Sequence, residues 1–107
     1  MIIGGLPTDF DTADISERTI LSIEAIYHSN GGTFIVVPNH SQYPMDDFFD
    51  GEDHLLRSCQ IFHSLLLAPR LAVLLNIPIH PPAAAFLLAA ASCPGAAHRV
   101  QAMSVAR

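Results

Sequence analysis

The five residues Thr33 to Val37, "TFIVV", constrain the fold more than any other stretch. They are continuously apolar or β-branched, with no polar alternation, so a strand built from them has to be covered on both faces. Pro38 ends that strand by removing a backbone donor. The preceding residues have a helical pattern. Ile15, Thr19, Ile23, Ile26 and Tyr27 recur at helical spacing, Asp14 followed by Glu17 has the form of a capping box, and "SNGG" supplies a stop. A helix over 14–28 that feeds a doubly covered strand over 33–37 predicts an α/β unit.

The remainder of the chain is read as helix over 52–68, strand over 71–75 and helix over 82–93. In the first of these Leu55, Cys59, Phe62 and Leu66 share a face, and Pro69 is expected to close it. "RLAVLLNIPI" fits helix or strand and is assigned to a strand at 71–75. "PPAAAFLLAAASCPG" is entered through Pro82 and ended by Pro94 and Gly95. "MIIGGLP" is either a short strand or an untied start. The expected architecture is a small single-domain α/β fold in the order α-β-α-β-α, with a short parallel sheet over 1–95 and a loose, flexible tail over 96–107. Its 107 residues suit one domain, or a fragment of a larger fold.

Charge is segregated. Residues 1–53 hold all ten acids and one arginine, a net −9, whereas residues 54–107 hold four arginines and no acid, giving −5 for the chain. Four scattered arginines beside an acidic half do not form a phosphate-neutralising stripe, so no nucleic-acid partner is expected. The chain has no lysine, which excludes Schiff-base chemistry and a P-loop lysine. Only 14% of residues are charged, against about 25% in ordinary soluble proteins, so part of the apolar surface is expected to be covered by a partner protein, by self-association or by a membrane surface. The uncharged stretch between Arg70 and Arg99 is broken by Asn76 and four prolines or histidines, and its clean helical part is too short to cross a bilayer. Two cysteines without a basic segment and apolar stretch at the start are read as reduced thiols in an intracellular protein, peripheral to a membrane in one version of the reading.

Chemistry concentrates just past the "TFIVV" strand, where loops at the carboxyl end of a sheet carry reactive groups. His40 lies three residues beyond Val37 and can act as a base at neutral pH if a carboxylate orients it; Asp46 or Asp47 can do so if the turn through Tyr43 and Pro44 folds back. "PNHSQYPMDD" resembles the first signature of the glycerolipid acyltransferases, an apolar strand leading to Asn-His, a few residues and Asp. The doubled aspartate is similar to tafazzin-like members. The resemblance implies that His40 deprotonates a lipid hydroxyl, that Asp46 orients it and that Asn39 belongs to the motif. Five residues separate His40 from Asp46 where that family has four, and the later family blocks are absent apart from an echo in "NIPIHPP". "TILSIEAIYHSNGGTFIVVPN" is similar, more faintly, to the acceptor-side half of sugar-nucleotide glycosyltransferases.

Other patterns lead nowhere. A calcium loop through Gly51 would place Phe48 and Arg57 at ligand positions. Cys59 and His63 stand four apart on one helix but have no second pair, so no metal and no cofactor is expected. "DFDT" resembles the nucleophile signature of haloacid-dehalogenase-like phosphatases without the strand or the lysine that go with it. The functional expectation is therefore a small non-catalytic protein that buries its apolar C-terminal half against a partner subunit or membrane surface. The alternatives are an acyltransferase-like enzyme, or a truncated remnant of one, working through His40 and Asp46, and after that a glycosyltransferase fragment.

Overall fold

The computed structural model describes residues 1–12, 15–51, 54–78 and 83–95. These residues form a mixed α/β fold with three helices and short parallel strand pairs. The chain runs through β1 (Ile3–Gly5), β2 (Asp9–Phe10), α1 (Glu17–Ser29), β3 (Thr33–Ile35), β4 (Gln42–Tyr43), a single 3-10 turn (Met45–Asp47), α2 (Arg57–Leu75) and α3 (Ala83–Ser92). β1 pairs in parallel with β3, Ile3 opposite Thr33 and Gly5 opposite Ile35, and β2 pairs in parallel with β4. A parallel pair needs a long crossover, and α1 provides it.

The first helix starts later than 14. Ser16 is its cap, with Oγ accepting from the Thr19 amide at 3.1 Å, while Asp14 lies outside the described residues. Its Tyr27 ring packs on Phe34 with centroids 5.1 Å apart and occupies the space any side chain at position 4 would need, which is why Gly4 lies in β1. Gly31, at φ 77°, makes the left-handed turn from α1 into β3.

The assignments at 52–68 and 71–75 are corrected. α2 begins at Arg57, after an antiparallel bridge between Phe48 and Leu55, and continues through Pro69 to Leu75. The run after Pro69 is leucine- and alanine-rich, a strong helix-forming composition. It closes on Asn76 in the left-handed region, with the Ile77 amide donating to the Ala72 carbonyl at 2.9 Å. The parallel partner of β3 is thus β1, and no strand lies at 71–75. The tail expected over 96–107 lies outside the described residues.

The core comprises Val37, Tyr43, Leu55, Cys59, Phe62, Leu66, Ala89, Ala90 and Cys93, so the helical hairpin α2–α3 closes over the strand ends. Burying Phe62 and Leu66 contributes about 2 kcal/mol each. The reduced-thiol expectation is overturned: Cys59 of α2 and Cys93, just past α3, form a fully buried disulfide. Nothing in the spacing of two cysteines signals this, because pairing depends on how α3 folds back onto α2.

Candidate functional site

The segment 38–49 is shaped by backbone hydrogen bonds. The His40 amide donates to the Val37 carbonyl at 2.9 Å, and Asn39 accepts from the Ser41 amide through Oδ1 at 3.1 Å while its Nδ2 donates to the Gln42 carbonyl at 3.3 Å. This asparagine-centred turn holds His40 and Ser41 at φ 55° and 57°, two consecutive non-glycine residues in a region that costs about 1 to 2 kcal/mol each. The turn delivers Gln42 and Tyr43 to β2, with the Asp9 amide donating to the Ser41 carbonyl and the Asp11 amide to the Tyr43 carbonyl.

His40 and Asp46 are not brought together. The His40 side chain is half-buried, Asp46 is exposed, and no hydrogen bond or ion pair joins them. The adjacent carboxylate, Asp47, points the other way and is completely buried. Its Oδ1 accepts from the Gly95 amide at 2.9 Å, and its Oδ2 lies 3.2 Å from Cys93 Sγ. A disulfide sulfur carries no proton, so this second contact is a close sulfur–oxygen approach and not a hydrogen bond.

Two other features surround this centre. Tyr43 is fully buried, and its hydroxyl lies 2.7 Å from His63 Nδ1 on α2. Burial lowers the His63 pKa, so the ring is neutral at pH 7 and accepts at Nδ1 when its proton sits on Nε2. An apolar groove of about 520 Å³ runs between α2 and α3 and is lined by Ile61, Ala85, Leu88 and Ala89, with Arg57 among its walls. The same two helices expose Val73 (80%), Leu87 (60%) and Leu88 (70%), of which Leu88 lines the groove. Among the described helices, α2 alone has the length and apolarity of a membrane span, yet Cys59, Phe62 and Leu66 bind its other face into the core. The apolar C-terminal half was legible in the sequence. The buried Asp47, the disulfide and the Tyr43–His63 pair were not, since each joins residues twenty or more apart in the chain. No family model, characterised protein or solved structure matches this chain.

Proposed function

We propose that this chain is a non-catalytic domain that attaches to an anionic membrane surface through the outer face of its α2–α3 hairpin. The observation that carries this is the exposure of Val73, Leu87 and Leu88 on a hairpin that has arginines and no acid. Singly exposed leucines are ordinary, but Ile61 and Leu88 are both exposed and line one apolar groove, the kind of surface that becomes covered. Charge favours lipid as the cover. Arg57 and Arg70 attract anionic headgroups, while the nine net negative charges of residues 1–53 turn the rest of the domain away. α2 lies along the surface and does not span, because drawing it into the bilayer would strip Cys59, Phe62 and Leu66 from the core.

The test is flotation of the purified chain with vesicles of phosphatidylcholine alone or with added phosphatidylserine. Binding is expected on the anionic vesicles and is expected to weaken as salt rises. Replacing Leu87 and Leu88 by Gln removes apolar area worth at least about tenfold in partitioning per leucine. Arg57→Gln with Arg70→Gln should remove the preference for phosphatidylserine. A chain that ignores both vesicle types but self-associates in light scattering overturns the membrane assignment in favour of a partner subunit.

A further inference from the structure

The buried centre has a chemistry that the membrane-facing surface does not use. Asp47, Cys59 and Cys93 come from the 3-10 turn, from α2 and from the residue after α3, and all three are completely buried. Each offers one ligand atom, and these atoms lie within 4.8 Å of one another. While the disulfide is intact, the sulfurs are bonded to each other and offer no metal site.

Reduction changes this. A dithiol supplies two electrons and two protons: the Cys59–Cys93 bond breaks, each sulfur takes a proton, and the dithiol's own sulfurs become joined. The centre then holds two thiols beside a carboxylate. Ionised thiolates buried together are costly unless a cation pairs with them, and a divalent cation with a taste for sulfur displaces both thiol protons on binding.

We propose that the reduced chain binds zinc through Cys59 Sγ, Cys93 Sγ and a carboxylate oxygen of Asp47, and that oxidation by an outside disulfide, which takes the two electrons and departs as two thiolates, rejoins the two sulfurs and expels the metal. Zinc–sulfur bonds of about 2.3 Å and zinc–oxygen bonds of about 2.0 Å set a sulfur–oxygen edge of roughly 3.5 Å in a tetrahedral site. Cys93 Sγ and Asp47 Oδ2 are already 3.2 Å apart, so this edge is nearly in place. The sulfurs must part to roughly 3.8 Å, the corresponding sulfur–sulfur edge. The Gly95 amide, 2.9 Å from Asp47 Oδ1, holds the carboxylate with Oδ2 turned to the sulfurs, as outer hydrogen bonds do for metal ligands. Three protein ligands leave one position for water or an outside thiolate.

The experiment uses the full chain, reduced anaerobically with a phosphine that is then removed, with cobalt(II) as the probe. One equivalent should give a thiolate-to-cobalt charge-transfer band and the intense visible bands of a tetrahedral site. Zinc should displace both, and diamide should abolish them with release of the metal. Asp47→Asn keeps both thiols and should weaken zinc binding by at least about tenfold in competition with a chromophoric chelator. Cys59→Ser should abolish the charge-transfer band. The proposal is overturned if the reduced wild-type chain shows no such band, or if Asp47→Asn binds zinc as tightly as wild type. Should Asp47→Asn fail to fold, the cadmium-113 resonance of the wild-type complex decides: a shift typical of two thiolates with oxygen supports the site, and one without thiolate overturns it.

Discussion

Breaking the Cys59–Cys93 bond is the perturbation whose cost the structure sets most directly. The two residues are 34 apart, and closing a loop of that length removes about 13 cal/mol/K from the unfolded ensemble, or about 3.8 kcal/mol at 25 °C. Reduction returns part of this, because Cys93 gains a proton 3.2 Å from Asp47 Oδ2 and the resulting hydrogen bond, from a weak donor to a carboxylate, is worth at most about 1.5 kcal/mol. The net loss is about 2.3 to 3.8 kcal/mol, a large share of the roughly 5 to 15 kcal/mol that a domain possesses. In urea, with a slope of about 1 to 3 kcal/mol/M, the midpoint should fall by roughly 0.8 to 4 M. The assay is unfolding followed by circular dichroism with and without a phosphine, with a chelator in both arms so that no metal stabilises the dithiol form. A midpoint shift smaller than about 0.3 M would refute the reasoning. Two titratable thiols in the denatured, unreduced chain would refute it equally.

Four further outcomes follow from the packing. Tyr43→Phe keeps the ring but takes the hydroxyl from His63 Nδ1, and is expected to cost about 1 kcal/mol in chemical denaturation. Because burial holds the folded His63 pKa below the unfolded value of 6.5, the native state binds fewer protons there; the contribution is fully present above 6.5 and is lost as pH falls through the folded value. Urea midpoints at about pH 7.5 and about pH 5.5 should therefore differ more in wild type than in His63→Gln. At Gly95 an added Cβ would sit 2.5 Å from the Pro44 ring and 2.6 Å from Asp47 Oδ2, so Gly95→Ala should lower stability by about 1 to 3 kcal/mol in thermal melts. Gly51→Ala, with nothing within 4 Å of the new atom, should stay within about 0.5 kcal/mol of wild type.

Where local chemistry decides an element, the sequence was a good guide. The first three residues of the β-branched run at 33–37 became β3, with Val36 and Val37 beyond its end, the alanine-rich run became α3, and the helical periodicity before "SNGG" became α1. The errors and the open assignments fall where tertiary context decides. β1 is two-thirds glycine and has no alternation to read, so its sequence is open between a short strand and an untied start; pairing with β3 makes it a strand, and the Tyr27 ring over Gly4 requires the bare backbone there. Asp14 and Glu17 matched a capping box by spacing, but Ser16, two residues further on, is the cap. Pro69 looked like a terminus, yet Ala72 beyond it is buried within the fold and the residues around it favour helix more than one proline opposes it.

The candidate site turned on a smaller difference. Asp46 and Asp47 are chemically identical neighbours, and in a 3-10 turn adjacent side chains point about 120° apart. One therefore meets water and the other the interior, and which is which depends on the phase of a three-residue turn set by the Pro44 and Met45 carbonyls. The Asp47 amide donates to the first and the Phe48 amide to the second, while the Asp47 carbonyl accepts from Leu56 at 2.7 Å. These bonds tie the inward phase to the start of α2. They turn Asp47 toward Cys93 and leave Asp46 outside, away from any bond with His40. A motif match on the doubled aspartate has no access to that phase, so it selected the exposed member of the pair. Shifting the turn by one residue would exchange the two roles, which makes the Leu56–Asp47 hydrogen bond as decisive for this centre as either carboxylate.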